Sequence, residues 1–297
     1  MISGNICITG ATGFIGSNLV KSLQAKSGSS ITAIVRSKQA GEKIKTLNLD
    51  SYLDDGDTEH LINFFQERKF DTVIHLASFY LKNHQSQQIE SLISSNVLFG
   101  TRLLEAAAKS AVKYFINTGT FWQYFDNKVY SPVNLYAASK QAFEMIARYY
   151  QENSNIFFTT LYLNDTYGPG DTRKKILNIW KSMKDTDSLD MSPGEQQINL
   201  LHIQDVVYGY LRLIHLVQSG DLPKSTTYML KSNEDLSVKQ LAALFEKIAQ
   251  KKLNINWGGL PYKDREVMTI WDGGTLVPGW EPRVALEQGI KEFILQG

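Results

Sequence analysis

Three glycines spaced three apart, Gly10, Gly13 and Gly16, stand directly after the apolar run Ile6-Cys7-Ile8 and directly before Leu19-Val20, where a helical period begins. A buried strand that hands over to a helix through glycines brings the backbone close to a ligand. The helix N-terminus then offers free N–H groups and the positive end of its dipole to an anion. A purely structural strand–helix turn would select the same spacing, so the surrounding chain has to decide between the two. Here a strand precedes, a helix follows, and a set of anion-reading residues comes one unit later. Gly10, Thr12, Gly13 and Gly16 are therefore read as the pyrophosphate turn of a dinucleotide site.

Strand and helix patterns alternate from this turn through about residue 165. After a helix over 16–26, Ile31-Thr32-Ala33-Ile34-Val35 reads as a second buried strand, ending in Arg36, Ser37 and Lys38. At this place a dinucleotide fold meets the adenosine ribose, and an acid there would accept from a free 2′-hydroxyl. A guanidinium, a hydroxyl and an ammonium instead suit a 2′-phosphate, which favours NADP(H) over NAD(H). The competing reading is a solvated basic loop end. A third strand (52–55) ends in Asp54 and Asp55, and Thr58 is expected to cap a helix over 59–68. The fourth strand, 71–78, carries His75 as a core histidine and closes on the small residues Ala77 and Ser78. A long helical pattern (87–110) holds the polar Asn96 near its apolar stripe. The fifth strand runs from Tyr114 into Thr118-Gly119-Thr120, and a helix follows over 136–150. This alternation argues for right-handed βαβ units and a parallel sheet.

Beyond a sixth strand (157–163) comes Asn164-Asp165-Thr166-Tyr167-Gly168-Pro169-Gly170-Asp171, a loop heavy in turn formers. The pattern then loosens into a helix at 173–184, a strand at 198–203, and helices near 205–217, 237–250 and 284–295. Residues 1–165 are expected to form the dinucleotide-binding domain, with 166–297 as a smaller lobe interleaved with it. A net charge of +1 on 297 residues gives no reason to expect nucleic acid or an anionic membrane as partner. Cys7, the single cysteine, excludes an intrachain disulfide and a cysteine-based zinc cage, and no metal is expected. No apolar run approaches the ~20 residues of a membrane span, and the first strand starts too early for a signal peptide. A cytoplasmic enzyme is the expectation.

Tyr136 and Lys140 are four apart on one helix, so they project from the same face. A phenol is a poor acid–base at neutral pH, and a neighbouring ammonium should lower its pKa. Thr120, at the end of the preceding strand, can offer its hydroxyl to a substrate oxygen. Together they can move a proton on or off a carbonyl while a nicotinamide exchanges hydride.

In this order the motifs resemble the extended short-chain dehydrogenase/reductases, a group of nucleotide-sugar epimerases, dehydratases and ketoreductases. The resemblance spans essentially the whole chain. It rests on Thr9–Gly16, Val73–Ser78, Asn96-Val97 with Gly100-Thr101, Tyr136 with Lys140, Tyr167–Asp171, Leu201–Val206 and Gly279–Pro282. It implies an α/β fold, a Rossmann-type doubly wound parallel sheet with a smaller α/β C-terminal substrate lobe. It also implies Tyr136 as acid–base, Lys140 on the nicotinamide ribose and Thr120 orienting the reacting oxygen. Phe14, Ile15, Asp54, Asp55, Leu76, Ala77, Ser78, Asn96 and Asn164 fall where the family lines the cofactor. Phe79, Phe121, Asp165, Gln196, Gln197, Lys263 and Arg265 are the substrate-side candidates. The helices at 87–110 and 136–150 are those with which the family builds a four-helix dimer interface, and a homodimer is expected.

Departures narrow the chemistry. Phe121-Trp122 follows Thr120 where the sugar dehydratases carry an acidic pair. Arg36 stands where epimerases usually carry an acid, and Asp165 where they have a substrate-binding asparagine. Ile198 replaces a common arginine, and Lys263 replaces a diphosphate-binding arginine, losing its bidentate fork. The short loop between Thr120 and Tyr136 resembles that of the CDP-4-keto-6-deoxyhexose reductases. The expected activity is therefore NADPH-dependent reduction of a nucleotide-activated 4-keto-6-deoxyhexose in deoxysugar or O-antigen biosynthesis. A nucleotide-sugar 4-epimerase is the alternative, and a non-catalytic dinucleotide sensor a more distant one.

Overall fold

The computed structural model describes residues 2–110, 112–222 and 227–295. The strands in chain order begin with β1 (Asn5–Thr9), β2 (Ser30–Val35), β3 (Asp50–Leu53), β4 (Thr72–His75), β5 (Tyr114–Thr120) and β6 (Phe157–Leu163). They continue with β7 (Asp165–Tyr167), β8 (Leu189–Met191), β9 (Gln197–His202), β10 (Thr227–Leu230), β11 (Asp235–Ser237), β12 (Ile255–Trp257) and β13 (Thr275–Leu276). Between them lie α1 (Phe14–Lys26), α2 (Lys38–Lys45), α3 (Thr58–Arg68), α4 (Ile89–Ile93), α5 (Phe99–Lys109) and α6 (Leu135–Asn153). The later helices are α7 (Ile176–Ser182), α8 (Ile203–Ser219), α9 (Val238–Ala249) and α10 (Leu286–Leu295).

Eight strands form one sheet in the order β13-β10-β6-β5-β4-β1-β2-β3, with every pairing parallel. The chain walks outward from β1 through β2 to β3, then returns to place β4 on the other side of β1. Strand order reverses at that point, so a crevice opens above the carboxyl ends of β1 and β4, where sheets of this kind bind ligands. Two strands of the sheet, β10 and β13, come from the last third of the chain. A smaller sheet, β11-β9-β7, and a β12-β8 pair lie beyond.

The strands read as continuous apolar runs because helices cover both faces. Ile6 and Ile8 of β1, Ile74 of β4 and Ile116 of β5 point into one layer, with Leu19 and Leu23 of α1 and Leu213 of α8. Cys7, Val73 and Phe115, each one residue over, point into the opposite layer with Phe65, Leu103, Leu104 and Phe143. A separate apolar cluster of Trp180, Leu241, Phe245, Ile290 and Phe293 underlies the small sheet.

Strands β3 and β4 end earlier than the sequence reading has them, leaving Asp54, Asp55, Ala77 and Ser78 in the loops that follow, and three helix boundaries also differ. The cap of α3 is Asp57, whose carboxylate accepts from the His60 N–H at 3.1 Å; Thr58 instead accepts from the Arg102 side chain. Helix α7 starts only at Ile176, because Asp171 and Thr166 hold the Arg173 side chain in the preceding turn. The helix expected over 87–110 is interrupted by a π-helical turn at Ser94–Leu98.

The two late motifs meet. Asp205, buried near the start of α8, accepts from the backbone N–H groups of Arg283 (2.9 Å) and Val284 (3.1 Å). Its own carbonyl accepts from the Trp280 indole at 3.0 Å. Asp205→Ala strands two backbone donors and is expected to lower unfolding stability by about 2–4 kcal/mol in urea titrations. Wild-type stability in that variant would show that the C-terminal segment docks without Asp205.

Candidate active site

The glycine turn is built by close approach. Gly10 has φ +72°, and a Cβ on it would lie 2.7 Å from the Ala77 backbone nitrogen. A Cβ on Gly16 would lie 2.2 Å from the Gly10 carbonyl oxygen. The ends of β1 and β4 are fastened by Thr9, whose Oγ1 accepts from the Ala77 N–H at 3.1 Å and bonds His75 Nδ1 at 2.8 Å. His75 is fully buried among Phe99, Phe115 and Phe143, and that burial holds it neutral, with its pKa well below the ordinary histidine value. Helix α1 begins after Gly13 with no side-chain cap, so its first N–H groups are left for an external anion. A backbone-lined floor facing an uncapped helix fits a dinucleotide diphosphate. Thr12 and Gly13 are exposed there, with Phe14 and Ile15 half-buried beside them.

Arg36 is exposed at the end of β2, its Nη1 donating to Ser95 Oγ at 2.6 Å and its guanidinium 5.4 Å from the Phe99 ring centre. Ser37 caps α2 by accepting from the Ala40 N–H, and Lys38 opens that helix. Asp54 faces the same region, yet both its oxygens are held by Arg102 at 2.8 and 3.2 Å. Asp55 pairs with the exposed His60 at 2.7 Å. Both acids thus have structural duties that the sequence did not display.

Asn96, 1% exposed, sits in the π-helical turn with its amide group committed to neighbours. Its oxygen accepts from Ser78 Oγ (3.2 Å) and the Phe79 N–H (2.7 Å), while its nitrogen donates to the Phe79 carbonyl and to Ser139. Asn96 therefore pegs the loop after β4, Leu76–Phe79, onto α6. Asn164, at the far end of β6, donates to the Leu230 carbonyl at 3.1 Å and leaves its side-chain oxygen buried without a partner.

The loop that Asn96 holds also presents Ser78 to Tyr136, with which it hydrogen-bonds. Tyr136 meets the Tyr80 ring edge-on, centroids 5.1 Å apart. Lys140, one turn further along α6, is 2% exposed. Thr120 ends β5 and caps a short 3₁₀ turn, its Oγ1 accepting from the Trp122 N–H. The phenol does not follow the sequence expectation. Burial pushes Tyr136 up to about 12, the Ser78 hydrogen bond pulls it back, and the Asp165 carboxylate pushes it further. The cost of a poorly hydrated phenolate is the dominant influence. Burial also brings Lys140 down, to about 8, against the opposing pull of Glu144.

Beside this group opens a cavity of about 690 Å³, lined by Tyr80, Trp122, Phe121 and Asp165 near Tyr136, and by Gln196, Gln197, Ile198, Lys263 and Arg265 further out. Phe79 is not among its lining; Asn96 holds its backbone instead. Asp165 forms an ion pair with Lys175 at 2.5 Å. Gln196 donates to Ser192 and keeps a buried, unpartnered side-chain oxygen. Lys263 reaches Asn83 at 3.1 Å, and Arg265 reaches Ser131 at 2.8 Å while stacking on Phe125 at 4.2 Å. Sequence reasoning missed Lys82, Lys174 and Lys175, which also line the cavity. The basic run Arg173-Lys174-Lys175 after the turn-forming loop was the available signal.

The profile of the NAD dependent epimerase/dehydratase family matches residues 6–228, and the chain belongs to that family of enzymes. It is 28% identical to the CDP-abequose synthase of Salmonella muenchen over 297 residues, 99% of this chain and 98% of the relative. It is also 28% identical to that of Yersinia pseudotuberculosis over 265 residues, 89% and 90% of the two chains. Among solved structures, the UDP-glucuronic acid 4-epimerase of Bacillus cereus, in complex with UDP-glucuronic acid and NAD, superposes with a TM-score of 0.84. Sequence identity there is 21%, with 98% of each chain covered. The UDP-glucose 4-epimerase of Thermotoga maritima gives 0.83 at 22% identity, again over 98% of each.

Gly16→Ala places a methyl against the Gly10 carbonyl and moves α1 off the turn. Affinity for NAD(P)H, followed by fluorescence titration, is expected to fall tenfold or more with the circular dichroism spectrum retained. Undiminished affinity would mean that the turn does not receive the dinucleotide.

Proposed function

We propose that this chain reduces the 4-keto group of a nucleotide-activated 4-keto-6-deoxyhexose, a CDP-sugar first among them, using NADPH. The observation that carries this reading is the setting of Tyr136. Burial and the nearby Asp165 keep its phenol protonated, so it is a proton donor in waiting rather than a base. The nicotinamide, when bound, supplies the hydride. Tyr136 gives its proton to the carbonyl oxygen as negative charge gathers there, turning the ketone into a secondary alcohol. Thr120 Oγ donates a second hydrogen bond to that oxygen, and the Lys140 ammonium stabilises the phenolate left behind. Gly10, Thr12, Gly13, Phe14, Ile15, Gly16, Leu76, Ala77, Ser78 and Asn164 would hold the dinucleotide. Arg36, Ser37 and Lys38 would face its 2′-phosphate.

Full-length likeness to two CDP-abequose synthases supports the sugar class. Phe121-Trp122 after Thr120 supports reduction over dehydration, since no acid follows to expel water. A nucleotide-sugar 4-epimerase is the second reading, favoured by the solved relatives that carry this fold. Residues 1–165 would hold the cofactor, and the sugar would sit between them and residues 166–297, both of which line the cavity. The working form is a homodimer: Ile89, Ile93, Met145 and Tyr149 leave an apolar face exposed on α4 and α6, suited to a second copy. Light scattering is expected to read twice the chain mass, and a monomer at micromolar concentration would remove this part.

The decisive experiment titrates NADPH against NADH, then screens nucleotide 4-ketosugars for oxidation of the preferred one. NADPH is expected to bind tighter and to be consumed stoichiometrically. Tyr136→Phe should bind it equally and lose turnover by about 10²–10⁴-fold. NAD retained through purification, with sugar interconversion in the absence of added reductant, would establish the epimerase instead.

A further inference from the structure

One half-buried acid near the site has no part in the scheme above. Glu144 lies on α6 one turn beyond Lys140, and its carboxylate gathers donors from two other elements. Oε1 accepts from Gln123 Nε2 at 3.0 Å, and Oε2 from the Tyr162 hydroxyl of β6 at 2.5 Å. Thr160, also on β6, bonds it as well. The assembly extends in both directions. Gln123 is wholly buried, and its Oε1 accepts the backbone N–H of Thr120 at 3.1 Å. Tyr162 accepts from Tyr124 at 2.9 Å, and Tyr124 stacks on Trp271 with ring centroids 4.2 Å apart. An unbroken run of hydrogen bonds thus leads from the backbone of Thr120 through Gln123 to Glu144, next to the turn that carries Lys140.

Packing alone does not call for a carboxylate here, since even a half-buried acid is costly and an amide of the same shape could meet most of these donors. The negative charge has one evident use. The titratable groups around Lys140 are Glu144 and Tyr136 on its own helix, His75 on β4, and Tyr162 and Tyr124 beyond Glu144. Burial keeps His75 neutral, and burial pushes both tyrosines up. Glu144 is the group that opposes the burial of the Lys140 ammonium.

We propose that Glu144 is a positioning residue that holds two catalytic groups from different elements at once, Thr120 through Gln123 and Lys140 through its charge. This rests on Tyr136, Lys140 and Thr120 being the acid–base group assigned above.

The test reads Lys140 directly, without turnover. Side-chain nitrogen NMR of lysine-labelled protein, with Lys140→Arg identifying the resonance, should show titration at about 8 in the wild type. In Glu144→Gln the nearby negative charge is lost, so the titration should move down. The alkaline limb of kcat should move with it, and kcat should fall about tenfold or more. A titration that stays put in Glu144→Gln would overturn the proposal. Gln123→Met keeps the charge and cuts the link to Thr120, and it carries the test should Glu144→Gln fail to fold. It should leave the Lys140 titration unmoved while kcat drops about fivefold or more; unchanged kcat would overturn the Thr120 arm. Failure to find a reducible ketosugar would sink the assigned reaction while leaving the NMR result intact.

Discussion

The ends of β1 and β4 stand so close that one methyl group would part them. Gly10 takes a left-handed φ and lets the Ala77 backbone approach, and Thr9 fastens the contact by accepting the Ala77 N–H beside a neutral, buried His75. Because the contact lies where strand order reverses, it decides the floor of the crevice, which is backbone rather than side chain. The same loop continues to Ser78, which bonds Tyr136, and to Phe79, which Asn96 clamps on both its N–H and its carbonyl. The proposed cofactor floor and the proposed proton donor are therefore positioned by one short segment. A shift of β4 against β1 would disturb both together.

Dryness sets the electrostatics of the site. Burial moves Tyr136 up and Lys140 down, each toward its neutral form. A phenol held this way gives up its proton only to a strong base. In the proposed reaction that base is the alkoxide created as hydride reaches the carbonyl carbon, so proton transfer is coupled to reduction rather than preceding it. Asp165 strengthens the bias because its charge repels a phenolate, and the Lys175 ion pair tempers it. An asparagine at that position would lack the bias. One carboxylate thus adds to a bias that burial chiefly sets.

What could be read along the chain was what local spacing encodes. Glycines three apart, Tyr136 and Lys140 one helical turn apart, and strand–helix alternation need no long-range knowledge, and each is found where the spacing put it. The residues read less well owe their roles to distant partners. Asp54 is legible as the end of a strand, but its grip on Arg102 depends on how α5 packs, 48 positions later. Asn96 needed a π-helical turn to aim its amide at the β4 loop, and such a turn has no sequence signature. The direction of the Tyr136 shift escaped because spacing reveals the ammonium but not the lost water. Glu144 was visible at the next turn after Lys140. Its donors, however, come from a 3₁₀ turn and from β6, and only the folded chain brings them together.

Lys263 and Arg265 show why a residue can be correctly located and still differently engaged. Both line the cavity, yet Lys263 reaches Asn83 and Arg265 reaches Ser131 and the Phe125 ring. Their partners lie on the loops after β4 and β5, the loops that carry Ser78 and Thr120. The C-terminal segment is thereby tied across the mouth of the cavity to the two loops that hold the proposed chemistry. Each tie is an exposed bond from a cation to a neutral partner, whereas a phosphate oxygen would add an opposite charge and, for Arg265, a bidentate geometry. In the proposed complex, an anionic substrate would compete with Asn83 and Ser131 for the same two cations. The contacts across the mouth of the cavity and those a diphosphate would make thus draw on the same pair of side chains.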